Sequence, residues 1–294
     1  MAVNIEKKYQ KLTDTEHVLL RPGMYVGSIK PHTEEVFLPM KGKDQFQLTE
    51  VTYNPGFLKL FDEIVSNSVD EHKRNAKLNK VKVDIDMATG QISIWDNGGI
   101  PVKIHKEYDE WVPEMIFSNL KAGSNFDDTE DRIVVGTNGV GSTLTNIFSK
   151  EFIIETCDGK KQFVQVFKNN MSERTKAKIT NKKTAFTKIT YLTDFKRFGL
   201  KGIDKNHYLM ITKRLIDIAA CNPTLKIFLN DKPIAFRTFK DYANRYVTPV
   251  FYEQSEHWKI GIGHSTTGFK AISFVNSVET KDGGTHVNNI DWQI

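Results

Sequence analysis

Residues 54–73 read NPGFLKLFDEIVSNSVDEHK, and the fold turns on how this stretch is read. Asn54-Pro55-Gly56 is a helix start signal, and apolar residues then fall at Phe57, Phe61, Ile64, Val65 and Val69 near helical spacing, with the small Ser68 among them. The spacing predicts a helix over 57–73. Turning ~100° per residue from Glu63 puts Asn67 roughly 40° to one side and Asp70 about 20° to the other, opposite the apolar stripe. One face therefore carries a carboxylate, an amide and a second carboxylate. Taken alone, such a face is that of an ordinary solvated amphipathic helix. Its neighbours in the sequence say more.

VKVDID (81–86) and QISIW (91–95) alternate around Thr89-Gly90 and read as an antiparallel hairpin. The hairpin runs into Asp96-Asn97-Gly98-Gly99-Ile100-Pro101, which delivers a carboxylate from a strand end into a turn whose glycines allow close backbone approach. Such a carboxylate can accept a hydrogen bond from an exocyclic amine. A third segment, GTNGVGSTL (136–144), sets three glycines ahead of a helix, where free backbone N–H groups and the helix dipole favour a phosphate. It is not a P-loop. Ser142 stands where that motif needs lysine, and Asp127 to Arg132 is a charged loop in place of a buried strand.

Strands are predicted at Phe152–Thr156, Phe163–Phe167, Phe186–Leu192 and Leu225–Leu229, with a helix from Asn206 to Ala220. Antiparallel strands interrupted by helices predict an α+β fold, one mixed and mostly antiparallel sheet with helices on one face. A composition shift between Arg245 and Pro249 starts a further set of strands (Trp258–Gly263, Phe269–Val275), so the domains divide as 1–245 and 246–294. The 294 residues are 39% hydrophobic and 26% charged, enough apolar residues for a full core. No apolar run approaches the ~18 residues of a membrane span, and the polar N-terminus is no signal peptide. Cys157 and Cys221 lack any ligand or pairing pattern and read as buried free thiols. The net charge of +5 permits a polyanionic partner. Ten basic residues from Lys168 to Lys201 face only Glu173 and Asp194, a stretch open to DNA contact or to reading as a solvated hairpin.

A helix with Glu, Asn and Asp, a strand ending in DNGG, and a glycine loop opening a helix together resemble the Bergerat nucleotide-binding (GHKL) fold. EHVLLRPGMYVGS (16–28), NIFS (146–149) and ISFVNS (272–277) with GGTH (283–286) are similar to type IIA DNA topoisomerase blocks specifically. The resemblance covers the whole chain. It implies a Bergerat-type α/β sandwich followed by the beginning of a transducer domain of ribosomal S5-like fold, binding ATP with Mg²⁺ and hydrolysing it. By the same resemblance Glu63 is the general base for the attacking water, Asn67 the magnesium ligand and Asp96 the reader of adenine, backed by Thr187. Ser124 and Asn125 fall near the ribose and phosphates, Gly136, Asn138, Gly139 and Gly141 cradle the phosphates, and Tyr9 reaches the nucleotide of a partner subunit.

Further implications are a homodimer closed by ATP through its N-terminal arm, double-stranded DNA as the partner of the whole enzyme, the remaining topoisomerase domains or subunits, and no membrane. Tyr9-Gln10-Lys11 and 95–102 are similar to eukaryotic and large-virus enzymes and 138–142 and 144–149 to phage ones, which points to a phage or viral origin. The compartment implied is the cytoplasm, that of the host or its nucleoid for a phage source, or the nucleus if the source is eukaryotic. Three positions depart from the family pattern: the glycines of DNGG have no residue between them, Ser66 replaces an aspartate of gyrase subunits, and Thr143 replaces a lysine of eukaryotic members. A transducer loop with a γ-phosphate-binding lysine is expected after Ile294. The alternatives are a MutL-like mismatch-repair ATPase, which lacks the RPGMYVGS and SFVNS blocks, and a non-hydrolysing ATP-dependent clamp, in which Glu63 or Asn67 is lost.

Overall fold

The computed structural model describes residues 9–123, 139–234, 236, 238–247, 250–255, 258–265 and 268–292. Helix α1 (Asp14–Leu20) opens on a capping box between Thr13 and Glu16. A hairpin of β1 (His32–Leu38) and β2 (Gln47–Tyr53) leads into α2 (Pro55–Arg74), the helix predicted from residues 54–73. Asn54 caps it: its Oδ1 accepts from Phe57 N at 3.0 Å, and Pro55 occupies the first turn, where no N–H is needed. His72, Lys73 and Arg74 end the helix, where positive charge suits the dipole.

The chain continues through β3 (Lys80–Ile85), β4 (Gln91–Asp96), the short pair β5 (Ile104–His105) and β6 (Glu110–Trp111), and helices α3 (Val112–Ser118) and α4 (Gly141–Ile147). Then come β7 (Ser149–Cys157), β8 (Lys161–Lys168), β9 (Glu173–Arg174), β10 (Lys178–Asn181), β11 (Phe186–Thr193), α5 (Lys205–Cys221), β12 (Lys226–Leu229) and β13 (Lys232–Ile234). Among the described residues these strands form one nine-stranded sheet in the order β10-β8-β7-β11-β4-β3-β12-β13, with β9 beside β8. All pairings are antiparallel except β12 with β3. Alternate residues of β3, β4, β7 and β8, such as Val81, Val83, Ile92, Ile94, Phe152, Ile154, Phe163 and Phe167, are buried in one core with the apolar stripe of α2. The strands and helices predicted between 57 and 229 are all present, within a few residues of their expected ends. α2 packs against α4 and α5, and α5 against β12.

After α6 (Phe239–Ala243), two further hairpins follow, β14 (Val250–Gln254) with β15 (Lys259–Gly263) and β16 (Phe274–Val275) with β17 (Val278–Glu279), and then α7 (Thr285–Asp291). The strand expected over 269–275 is confined to its last two residues. Phe269 is exposed, so the apolar residues before Phe274 have no buried face to line. The β16–β17 turn is Asn276-Ser277, with φ of 52° and 71°, and it rests on α2 and α5. Both thiols are free, but Cys221 is only partly buried, unlike Cys157. Among the described residues no helix is long and apolar enough to cross a membrane.

Candidate functional site

The sheet hands Asp96 to the site from the last position of β4, where alternation turns its side chain to the buried face with Ile92 and Ile94. Its carboxylate is 7% exposed. Oδ2 accepts from Ser68 Oγ on α2 at 2.7 Å, and Oδ1 from the backbone N–H of Gly98 at 2.9 Å. Burial pushes the Asp96 carboxyl up from 3.8 to about 6, with Glu71 adding to the rise, against hydrogen bonds from Ser68, Gly98 and the Thr187 backbone that favour the charge. A carboxylate offers about four acceptor sites, so capacity remains for one more donor.

Thr187 sits directly opposite Asp96 across the β11–β4 ladder. Its hydroxyl is 3.0 Å from that of Thr156, which also donates to Phe186 O and accepts from Ile100 N. Space requires glycine at 99 and is tight at 98. A Cβ on Gly99 would lie 2.2 Å from the carbonyl oxygen of Cys157, and one on Gly98 would lie 2.8 Å from Leu78 Cδ1. The DNGG turn is thus packed tight against β7 and the 75–79 loop. Asn97 stitches that loop in place, accepting from Asn79 N and Lys80 N and donating to Lys77 O.

Glu63 lies about 7.5 Å along the axis of α2 from Ser68, at 1.5 Å per residue. One helix therefore serves both ends of the site. Lys59 Nζ is 2.5 Å from Glu63 Oε1, one turn away on the same helix. Burial works against the Lys59 charge, but the Glu63 carboxylate prevails and raises the ammonium above its ordinary value. Glu63 Oε2 points at the start of α4: a Cβ on Gly141 would fall 1.6 Å from it, so only glycine leaves the carboxylate room there. Gly139 adopts a left-handed φ of 60°, which turns the chain into α4. The polar residues of α4 are spent on anchoring it, with Ser142 donating to Ile116 O, Thr143 to Asn119 O, Thr145 to Leu60 O and Asn146 to Phe117 O. Thr143 is fully buried in this role.

The structure therefore brings Asp96, Thr187, Glu63, Gly139 and Gly141 around α2. Asn67, one turn from Glu63, is exposed on the same face, while Asp70, expected beside it, is buried at 2% exposure and is no solvated carboxylate of that face. Tyr9 is 69% exposed, away from any core. Ser124, Asn125, Gly136 and Asn138 lie outside the described residues. Sequence reasoning missed Ser68, Lys59 and Thr156. A lone serine in an apolar stripe and a threonine at an inward strand position were the available signals for two of them. Four members of the basic stretch have carboxylate partners, Lys168 with Glu151, Arg174 with Glu114, Lys188 with Glu155 and Arg197 with Asp194. The ten basic residues of the stretch are thus neutralised only in part.

No family model matches the chain. Curated relatives do: it is 43% identical over 99% of its length to a DNA topoisomerase 2 of Acanthamoeba polyphaga mimivirus, covering 24% of that protein. With a DNA topoisomerase 2 of Arabidopsis thaliana it shares 41% identity over 99% of the chain and 21% of the relative. The chain thus spans between a fifth and a quarter of the length of these relatives. Among solved structures, the ATPase region of Saccharomyces cerevisiae topoisomerase II superimposes with a TM-score of 0.93 at 36% identity, over 99% of this chain and 79% of that one. The 43K ATPase domain of Thermus thermophilus gyrase B, at 22% identity and a TM-score of 0.67, shares the fold. At 36% identity, with the same fold over 79% of the yeast region, the chain belongs to the ATPase-region family of type II DNA topoisomerases.

Proposed function

We propose that the chain binds and hydrolyses ATP as the ATPase region of a type II DNA topoisomerase, and that its ATP-driven dimerisation closes a gate for DNA strand passage. The observation that carries this reading is Asp96, a buried carboxylate with acceptor capacity to spare, held at a strand end by Ser68 and Gly98. An exocyclic adenine amine would satisfy that capacity, with Thr187 beside it. Glu63, Gly139 and Gly141 then lie toward the phosphates, joined in this reading by Ser124, Asn125, Gly136 and Asn138. Glu63 accepts the proton of the attacking water, and Lys59 keeps it oriented. Among the described residues no group of three or more His, Cys, Asp or Glu could hold a metal. Mg²⁺ bound mostly by phosphates and waters needs no such cage, and the exposed Asn67 amide oxygen suits it as a single hard ligand. When bound, the ion neutralises phosphate charge.

In the same reading residues 1–245 form the nucleotide domain and 246–294 begin the transducer, Tyr9 reaches across a homodimer, and double-stranded DNA and the other topoisomerase domains are the partners. A viral origin is in keeping with the mimivirus relative. A MutL-like ATPase finds no support, and a non-hydrolysing clamp is disfavoured by the presence of both Glu63 and Asn67. The test separates binding from chemistry. Glu63→Gln should lower ATP hydrolysis by ~10²–10⁴ while leaving nucleotide affinity within a few fold. Asp96→Ala, titrated calorimetrically with a non-hydrolysable ATP analogue, should lose roughly 5- to 150-fold in affinity. Unchanged affinity in Asp96→Ala removes Asp96 from the site, and equal losses of binding and turnover in Glu63→Gln make Glu63 structural.

A further inference from the structure

Arg214, on α5, is mostly buried and touches two parts of the molecule at once. Its Nε donates to Asp62 Oδ1 at 2.6 Å, its Nη2 reaches Ser66 Oγ at 3.4 Å, and its Nη1 donates to the backbone carbonyl of Ser277. Asp62 and Ser66 belong to α2 and flank Glu63. Ser277 belongs to the β16–β17 turn, more than sixty positions further along the chain than Arg214. That turn is fastened twice more, by Lys73 Nζ donating to Asn276 O at 3.0 Å and by Asn222 Nδ2 donating to Ser277 Oγ at 3.0 Å. Two consecutive non-glycine residues at positive φ cost free energy and persist where such contacts hold them.

The charges beside this junction are finely partitioned. Lys59 stands three residues before Asp62 and four before Glu63, so on a helix its ammonium can reach either carboxylate. It pairs with Glu63 at 2.5 Å, and Asp62 pairs with Arg214. With Arg214 on Asp62, the close contact of Lys59 goes to Glu63, although the Asp62 charge still acts on the ammonium. Without the guanidinium, Asp62 would compete for the same ammonium, and the Glu63 carboxylate would lose the contact that fixes it against Gly141.

We infer that Arg214 is a positioning residue for Glu63: by holding Asp62 it reserves Lys59 for the general base, and through Ser277 it makes that arrangement answer to the β16–β17 hairpin. The inference rests on the reading of Glu63 as the base. A hairpin seated on α2 and α5 keeps Arg214 in place and turnover competent. A displaced hairpin loosens Arg214, divides Lys59 between two carboxylates and slows the chemistry without altering the adenine end of the site.

Steady-state ATP hydrolysis by the full-length protein tests this. Arg214→Ala should lower kcat about tenfold, as a misplaced catalytic group does, with KM for ATP within about twofold. Arg214→Lys, which keeps a cation beside Asp62, should stay within about threefold of wild type. The decisive variant is the double replacement Arg214→Ala with Asp62→Asn, which removes the competing charge while leaving the hairpin contact broken. It should regain kcat to within about threefold of wild type. If the double variant is as slow as Arg214→Ala, or if Arg214→Ala turns over like wild type, the inference is overturned. Should circular dichroism show Arg214→Ala unfolded, Arg214→Gln takes its place in the same comparison. Glu63→Gln measured alongside keeps the two readings apart. A wild-type rate in Glu63→Gln overturns the base assignment and this inference with it, whereas a slow Glu63→Gln beside an unrescued double variant overturns this inference alone.

Discussion

Asp96 shows what burying a carboxylate at a strand end costs the fold. Because burial raises its carboxyl from 3.8 to about 6, the folded protein keeps a proton over a pH range in which the unfolded chain has lost it. The fold is therefore favoured by this group below about pH 4 and loses that contribution as pH rises through 6, above which the effect no longer changes with pH. Two pH units at ~1.4 kcal/mol each give an upper figure of about 3 kcal/mol. Asp96→Asn is neutral throughout, so the stability of wild type relative to Asp96→Asn should fall by up to that amount between pH 4 and 6. Urea unfolding of both proteins across this range measures it, and a difference that does not vary with pH would show that Asp96 is solvated in the fold.

At the scale of the element, α2 works because its start is pinned from three directions. Asn54 caps Phe57 N, its Nδ2 donates to Ile29 O at 2.6 Å and to Phe198 O at 2.9 Å, and its own N–H donates to Nε2 of the buried His207. The other ring nitrogen of His207 faces Asp204 Oδ1 at 2.8 Å, so Nδ1 carries the proton and Nε2 is the acceptor. Glu63 and Ser68 depend on this register, since a helix slipped or frayed at its start moves both. Asn54→Ala removes the cap and strands two carbonyl groups, and should cost about 2–4 kcal/mol. Chemical denaturation measures the loss, and a value under about 0.5 kcal/mol would mean that water replaces the amide without penalty.

Across the whole molecule, the nine-stranded sheet with its helices and the later hairpins are joined by buried polar contacts. Lys213 and Asp217, both nearly fully buried on α5, pair at 2.6 Å. The Lys213 ammonium lies 5.8, 5.9 and 5.7 Å from the ring centres of Phe46, Tyr242 and Tyr246. Tyr242 donates to Asp217, and its ring meets Phe274 of β16 edge to face. Burial opposes the Lys213 charge, but the Asp217 carboxylate holds it above the ordinary lysine value. Lys213→Met leaves a buried carboxylate without its cation and should destabilise by about 3–5 kcal/mol, while Lys213→Met combined with Asp217→Leu should recover most of that loss. Thermal unfolding of the single and double variants checks this. Failure of the second change to restore stability would mean that the pair is itself a net source of stability.

What the sequence determined by itself were the features written in local periodicity and turn chemistry. The apolar stripe of residues 57–69, the hairpin around Thr89-Gly90 and the strands from 152 to 192 each bury a face that their own spacing declares, so their existence did not depend on partners far away. Asp96 was legible for the same reason, a carboxylate at a strand end before paired glycines, and the resemblance to topoisomerase blocks gave Glu63 and Thr187 their expected roles. Only the tertiary structure decided the rest. Asp70 stood on the helix face that spacing marks as polar, yet neighbouring elements cover it. The glycines of DNGG answer to the carbonyl of Cys157 nearly sixty residues on, a contact that no local pattern records. Arg214 meets Asp62 across 152 positions and Ser277 across 63, and its partners are set by the packing of α5 between α2 and the β16–β17 hairpin. Periodicity fixes which way a side chain points from its own element, but the charge or carbonyl it finds there is supplied by whichever segment the whole chain folds against it.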